Sequence, residues 1–102
     1  MQTGGSTSDP DPDPRAILSR DHPAWTVEGE TAVRTLEFPD FAGAVGFVVS
    51  VALLAERADH HPDIDIRWNR VTLRLTTHSA GALTRSDTAL VAEIDELMDR
   101  RR

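Results

Sequence analysis

The chain has 102 residues, a formal net charge of −6 and no cysteine. This length suits one domain with one core, and the lack of cysteine excludes disulfides and thiolate metal sites. Direct nucleic-acid binding is not expected, because phosphate backbones attract clustered positive charge and only arginines 100–102 cluster here. We expect no membrane segment, since a span needs about 18 apolar residues, and no signal peptide. The protein is therefore predicted to be soluble and cytoplasmic.

The first segment, residues 1–14, contains Gly, Ser, Thr, Asp and Pro with almost nothing apolar. Such a composition cannot bury enough surface to offset the entropy of ordering, so a disordered tail is predicted. Residues 15–102 are predicted to form a single domain. This domain opens with a short helical turn over 15–20. His22 and Pro23 should end that turn, because a residue before proline avoids the helical region. No functional role is predicted for His22.

Two short strands are predicted next, over residues 25–28 and 32–38. A long helix follows over residues 41–58, with Asp40 as its N-cap and Pro62 ending it. The periodicity places one buried stripe on this helix, formed by Phe41, Val45, Val48, Ala52 and Ala55 and widened by Phe47, Val51 and Leu54. We therefore expect a well-buried helix.

An antiparallel hairpin is predicted from two stretches in which apolar and polar residues alternate. The first stretch has Ile64, Ile66 and Trp68 on its apolar face, and the second has Val71, Leu73 and Leu75. The turn is expected at Asn69 and Arg70. We interpret Trp68 as a core residue in preference to an exposed stacking surface.

The last part of the chain is predicted to be a loop over residues 79–83 followed by a helix. Thr84-x-x-Asp87 resembles a capping box with aspartate in place of the usual glutamate. The core face of this helix is formed by Leu90, Val91, Ile94, Leu97 and Met98. The resulting order, β-β-α-β-β-α, favours an α+β domain with helices packed on one face of an antiparallel sheet.

Three of the four histidines fall in one part of the chain, with His60 and His61 at the end of the long helix and His78 near the end of the last strand. Histidine gives and takes a proton near neutral pH, so this group indicates proton transfer or a metal site. Glu56 and His60 are four residues apart and can touch on one helix face. His61 must leave the helix before Pro62, so the two rings should diverge. If the last strand continues, His78 lies on its polar face.

Structural roles explain the same residues. A histidine at a helix C-terminus can serve as a cap, His78 can be an ordinary polar-face residue, and Asp87 can serve only to start the last helix. A zinc site made by the three histidines is another hypothesis. The spacing disfavours zinc, because adjacent, divergent histidines rarely point at one ion and the chain has no His-x-His or His-x-x-x-His pair.

The residues singled out above are separated by fixed gaps, in the pattern Glu56-x3-His60-His61-Pro62-x5-Trp68-x9-His78-x8-Asp87. This pattern resembles the signature of the pterin-4a-carbinolamine dehydratases, also called 4a-hydroxytetrahydrobiopterin dehydratases. The resemblance extends over residues 25–97. It implies a four-stranded antiparallel sheet with helices on one side and assembly as homodimers or homotetramers. It also implies dehydration of a 4a-hydroxytetrahydropterin to the quinonoid dihydropterin, which regenerates the cofactor of aromatic amino acid hydroxylases.

The resemblance also implies roles for single residues. His60 and His78 would transfer protons, His61 would hold the pterin, and Glu56 would orient His60. The pterin pocket would further be lined by Asp59, Thr76, Thr77 and Ser79, with Asp87 supporting the His78 side. No metal or organic cofactor is implied.

Some positions depart from the family pattern. Ala24 and Ala82 stand where glycine is frequent, and Trp68 replaces the commoner tyrosine. Because the segment before Trp25 is short, the N-terminal helix of the family could be reduced or missing in this chain.

The main rival hypothesis is a non-catalytic binding or assembly protein on the same scaffold. A small metal-dependent hydrolase is a third hypothesis. The presence of all three histidines favours the enzyme.

Overall fold

Seven elements follow one another in the computed structural model, which describes residues 13–101. They are α1 (Pro14–Asp21), β1 (Thr26–Glu28), β2 (Thr31–Glu37), α2 (Phe41–Ala58), β3 (Asp63–Arg67), β4 (Arg70–Leu75) and α3 (Arg85–Arg100). The predicted α+β class is confirmed, and the short N-terminal helix is present as α1. Asp13 caps α1 and Pro14 begins it. The rest of the predicted tail over 1–14 lies outside the described residues.

The four strands form one antiparallel sheet with the order β1-β2-β4-β3. One face of this sheet is buried, through Ala32, Leu36, Val71, Leu73 and Leu75. These side chains share a core cluster with residues of the helices, among them Leu18, Phe47, Val51, Leu90 and Ile94. On the opposite face, the Thr35 and Thr72 hydroxyls lie 3.0 Å apart and exposed. The helices therefore cover one face of the sheet, as predicted.

Local hydrogen bonds fix both ends of α2. Asp40 is the N-cap, as predicted, and its carboxylate accepts a backbone N–H of the first turn at 2.7 Å. At the other end, Asp59 takes a left-handed conformation with φ of 51°. The Asp59 N–H donates to the Glu56 carbonyl, and the His60 N–H donates to the Ala55 carbonyl. These two bonds form a Schellman motif, which turns the chain and fixes where His60 leaves the helix.

The buried face of α2 agrees with the predicted stripe in part. Phe47, Val51 and Ala55 enter the core as predicted, and Ala44 joins them. Phe41 and Ala52 are exposed, which corrects their place in the stripe. The physical reason lies in the composition of the helix, because no charged residue occurs between positions 41 and 55. A helix that is apolar all round gives the periodicity no single face to select.

One side of α2 is apolar and uncovered. Phe41, Val49 and Leu53 are all more than half exposed, Leu53 at 68%, and we call these three residues the α2 outer face. By length and composition, α2 is also long and apolar enough to cross a membrane, which corrects the expectation that no segment reaches that length. Its other side packs against the sheet and contributes Phe47 and Val51 to the core.

The β3–β4 turn lies one residue earlier than predicted. Arg67 pairs with Arg70, so the two turn residues are Trp68 and Asn69. Asn69 is buried and holds the sheet end, because its side-chain amide donates to the Phe38 carbonyl at 2.8 Å. Trp68 has a positive φ of 52° and is 72% exposed. The prediction of a core role for Trp68 is therefore wrong, because the turn directs it out of the sheet.

The loop between β4 and α3 closes on itself. Strand β4 ends at Leu75, so it does not continue to His78. Instead, Thr77 and Ala82 form a bridge with two backbone hydrogen bonds of 3.2 and 3.4 Å around a turn over residues 78–81. Gly81 supplies the positive φ of this turn, and Ala82 is not among the described residues with positive φ. Alanine at position 82 is thus compatible with the loop.

Candidate active site

Side-chain contacts join the end of α2, the loop after β4 and the start of α3. The Nε2 atom of His60 lies 2.5 Å from Oδ1 of Asp87. Asp87 is completely buried, and the His60 side chain is 15% exposed. The two residues are 27 positions apart in the chain, so the fold alone brings them together.

Asp87 serves two purposes at once. It completes the predicted capping box of α3, since its Oδ2 accepts the Thr84 N–H at 2.9 Å. The same Oδ2 accepts the Thr77 hydroxyl at 2.7 Å. Together with His60, these contacts give the buried carboxylate three hydrogen-bond partners, which a buried charge requires. The helix start adds favourable partial positive charge.

One predicted contact is corrected by this arrangement. Glu56 was expected to touch His60, but its Oε1 lies 2.7 Å from Nε2 of His61. The Schellman motif explains this change, because it moves His60 off the helix face that carries Glu56. Asp87 was expected to support the side of the pocket that carries His78, and its carboxylate contacts Thr77, which precedes His78, and also His60. The two adjacent rings take different partners, as their predicted divergence requires.

The His61–Glu56 pair is open to solvent. More than half of each side chain is exposed, at 55% for His61 and 76% for Glu56. Such a pair is screened by water and contributes little to stability. Both groups are accessible to a ligand.

His78 stands in the turn that follows Thr77 and is exposed. Its carbonyl accepts the Gly81 N–H at 3.1 Å, which holds the turn in shape. Thr77 contacts the same carboxylate as His60, which lies at the end of α2. His78, the next residue in the chain, therefore follows a residue that is anchored near the end of α2. Ser79 is exposed in the same turn, and Thr76 is half-buried just before it.

A second polar cluster lies elsewhere and was missed by sequence reasoning. Asp95 of α3 accepts the Trp25 indole N–H and an Arg34 guanidinium N–H, each at 2.7 Å, through Oδ1. Its Oδ2 lies 2.7 Å from Nδ1 of His22. An open cavity of about 400 Å³ borders His22, Arg34 and Asp95. The cluster connects α3 to strand β2 and to the segment after α1. The only feature of the sequence that pointed to this cluster was the isolated His22.

Within residues 13–101, no three or more His, Asp or Glu side chains are arranged to hold a metal ion. The chemistry available to the first cluster is that of a histidine supported by a carboxylate. A carboxylate on one ring nitrogen fixes the tautomer and stabilises the imidazolium that forms when the other nitrogen takes a proton. The site is therefore suited to general acid–base catalysis.

These features define a small α+β domain whose candidate site is built on a histidine–aspartate pair. The family model described as Pterin 4 alpha carbinolamine dehydratase matches residues 11–97. The chain belongs to this family, which confirms the resemblance seen in the sequence.

Relatives that carry the same family name are similar over most of the chain. A protein of Roseiflexus sp. (strain RS-1) is 57% identical over 74 residues, covering 72% of this chain and 80% of the relative. One from Nocardia farcinica (strain IFM 10152) is 53% identical over 82 residues, covering 80% of this chain and 86% of the relative.

Two solved structures share the fold. The first is described as a transcriptional coactivator/pterin dehydratase from Brucella melitensis, with a TM-score of 0.71 and 33% identity, covering 80% of this chain and 87% of that one. The second is described as a pterin dehydratase-like protein that is a RuBisCO assembly factor in the alpha-carboxysome. Its TM-score is 0.58 at 22% identity, over 72% of this chain and 84% of that one, so it is similar in fold alone.

Proposed function

We propose that this protein dehydrates a 4a-hydroxytetrahydropterin to the quinonoid dihydropterin and so recycles the cofactor of aromatic amino acid hydroxylases. The observation that carries the proposal is the 2.5 Å contact between His60 Nε2 and the buried Asp87 carboxylate, in a chain that belongs to the pterin carbinolamine dehydratase family. A buried carboxylate that supports a histidine is a device for proton transfer.

The reaction needs two proton transfers. The bond from C4a to its hydroxyl oxygen breaks, and an acid must protonate that oxygen because hydroxide is a poor leaving group. The N5–H bond also breaks, and its electron pair forms the C4a=N5 double bond while a base takes the proton. The products are water and the quinonoid dihydropterin. Positioned acid and base groups typically contribute about 10² to 10⁴-fold each to such steps.

His60 and His78 are the proposed proton-transfer pair. His60 is supported by Asp87, and His78 is exposed in the turn next to Thr77. His61, paired with Glu56 and exposed, is proposed to hold the pterin. The polar pterin edge is proposed to contact Asp59, Thr76 and Ser79, whereas the hydroxyl of Thr77, also predicted to line the pocket, is engaged by Asp87 and Thr84. Glu56 acts here through His61, and Asp87 acts through His60.

Self-association is part of the proposal. The α2 outer face, formed by Phe41, Val49 and Leu53, exposes large apolar side chains on one helix. Monomeric soluble proteins seldom leave contiguous apolar surface uncovered. A second copy of the chain can cover it with the same face, as in the symmetric contacts of most homo-oligomers. We propose a homodimer or homotetramer that works in the cytoplasm.

The second candidate is a non-catalytic binding or assembly protein. The α2 outer face favours it as well, because the same surface could bind another protein. The solved structures described as a coactivator/dehydratase and as an assembly factor share this fold. Such a protein could dispense with the histidines, so the His60–Asp87 pair makes the dehydratase the better-supported function.

The decisive experiment is the initial rate of dehydration of synthetic 4a-hydroxytetrahydropterin, followed by ultraviolet absorbance at neutral pH. The purified full chain is compared with buffer alone, with and without EDTA. We expect a large acceleration that EDTA leaves unchanged. A rate equal to that in buffer contradicts the enzyme. A rate abolished by EDTA contradicts the proposed proton transfer by histidines alone.

A further inference from the structure

We propose that Thr77 is a positioning residue for His60. Its hydroxyl holds the Asp87 carboxylate, and through that carboxylate it fixes which nitrogen of the His60 ring carries the proton. The kinetic consequence rests on the proposed function, in which His60 transfers a proton. The structural part, the tautomer of His60, rests on hydrogen-bond geometry around an ionised Asp87 carboxylate.

The hydrogen bonds around Thr77 can run in only one direction. The Thr77 hydroxyl lies 2.7 Å from Oδ2 of Asp87 and 2.7 Å from the Thr84 hydroxyl. An ionised carboxylate can only accept, so the single hydroxyl proton of Thr77 points to Oδ2. The Thr77 oxygen must then accept the proton of the Thr84 hydroxyl. The Thr84 oxygen in turn accepts the Ser86 N–H at 3.2 Å, so a directed chain runs from the start of α3 to Asp87.

The other carboxylate oxygen is thereby left for the histidine. Oδ1 of Asp87 faces Nε2 of His60 at 2.5 Å. Since this oxygen also can only accept, Nε2 carries the proton, and in the neutral ring Nδ1 keeps its lone pair. His60 is therefore prepared to take a proton at Nδ1, the role of the base that removes the N5 proton. Asp87 then stabilises the imidazolium that results.

The Thr77 hydroxyl is important for the position of the Asp87 carboxylate because that carboxylate is buried. Asp87 is completely buried, so water does not replace a lost donor at its carboxylate. Without the hydroxyl, Oδ2 keeps the Thr84 N–H, and the carboxylate gains freedom to rotate away from His60. Losing one hydrogen bond to a buried charge corresponds to roughly a 10- to 100-fold effect on the step that depends on it.

The test of the tautomer is nuclear magnetic resonance on the full ¹⁵N-labelled chain. The ring ¹⁵N shifts of His60 report which nitrogen is protonated, and the exchange of its ring proton with water reports how firmly the contact is held. We expect the Nε2–H tautomer with slow exchange in the wild type. Thr77→Val, which keeps the shape but removes the hydroxyl, should speed that exchange at least tenfold. Thr77→Ser, which keeps the hydroxyl, should preserve the slow exchange.

Kinetics provide the second readout. We expect Thr77→Val to lower kcat by roughly 10- to 100-fold with little change in KM, and Thr77→Ser to restore it. The matched control is Thr72→Val, because Thr72 lies on the open face of the sheet, where its hydroxyl contacts that of Thr35. The control should leave kcat unchanged. Circular dichroism confirms that each variant is folded.

The outcomes separate this inference from the proposed function. An Nδ1–H tautomer of His60 in the wild type overturns the inference without any variant. Normal activity together with unchanged ring-proton exchange in Thr77→Val also overturns it, and leaves the dehydratase intact. If the wild type has no dehydratase activity, the proposed function is wrong. The tautomer of His60, and the dependence of its ring-proton exchange on Thr77, then still test the structural part of the inference.

Discussion

His60 and Asp87 join the end of one helix to the start of another. The ring nitrogen of His60 contacts the carboxylate that caps α3, at 2.5 Å. The same carboxylate therefore stabilises a helix end and holds a histidine. Any change at Asp87 should affect both the stability of the domain and the chemistry of the site.

Asp87→Asn is expected to lower kcat/KM by about 10² to 10⁴-fold, because an amide can offer His60 a donor where the carboxylate offers only acceptors. The change should also reduce the free energy of unfolding by about 2 to 4 kcal/mol, because the buried donors around Asp87 lose a charged partner. Steady-state kinetics and urea unfolding measure the two effects. Full activity in this variant would contradict a supporting role for Asp87.

Asp95→Asn tests the second polar cluster and serves as the control for the first. Asp95 accepts from Trp25 and Arg34 and contacts His22. We expect the free energy of unfolding to fall by about 2 to 4 kcal/mol, because partly buried donors lose a charged partner. Activity should be retained at a temperature where the variant is folded.

The matched comparison for this stability effect is Asp65→Asn. Asp65 pairs with Arg67 on the exposed face of β3, and the change should alter the free energy of unfolding by less than about 0.5 kcal/mol. Both variants are measured by urea unfolding. If Asp65→Asn and Asp95→Asn lower the free energy of unfolding equally, the cluster around Asp95 contributes no more to stability than an exposed ion pair.

Leu53→Asp tests the α2 outer face. Leu53 is 68% exposed, so a charge there is compatible with the folded monomer but not with an apolar contact between copies. We expect a smaller molar mass by light scattering and normal circular dichroism. Ala16→Asp, an exposed position on α1, should leave the mass unchanged. An oligomer that survives Leu53→Asp would place the contact on another surface.

The Arg20–Asp21 pair gives a prediction about pH. Two hydrogen bonds from Arg20, at 2.8 and 2.9 Å, lower the pKa of the Asp21 carboxyl below its ordinary value. A lowered pKa stabilises the folded state above the ordinary aspartate pKa, and this contribution is lost as the pH falls through the lowered value. In Arg20→Gln, an NMR titration should show the Asp21 pKa return toward its ordinary value. An unchanged pKa would contradict the assigned cause.

Much of the fold follows from local signals in the sequence. The start of α2 at Asp40, its end before Pro62 and the Thr84–Asp87 capping box were all predicted, because each depends on residues within a few positions of one another. The buried face of α2 was predicted in part: Phe47, Val51 and Ala55 are buried, but Phe41 and Ala52 are exposed, since the composition of the helix has no polar side to mark the outside. The outward position of Trp68 depends on a turn that begins one residue earlier than the alternation suggested.

Of the residues predicted for the site, the fold brings His60, Thr77 and Asp87 together, and their pairing was not predicted. Helical spacing favoured contact between Glu56 and His60, but the left-handed Asp59 turns the chain so that His61 contacts Glu56. Contact between His60 and Asp87 depends on how α2 and α3 pack. Periodicity concerns the buried face of a single helix, and it does not indicate which ends of two helices meet.

The proposed dehydratase activity depends most directly on the two histidines His60 and His78. The measurement is the initial rate of 4a-hydroxytetrahydropterin dehydration by the wild type, His60→Ala, His78→Ala and the double variant, with Asp65→Asn as a control for substitution elsewhere. We predict a loss of about 10² to 10⁴-fold in each single variant and a rate close to that in buffer in the double variant. A double variant that keeps the wild-type rate would contradict the central claim.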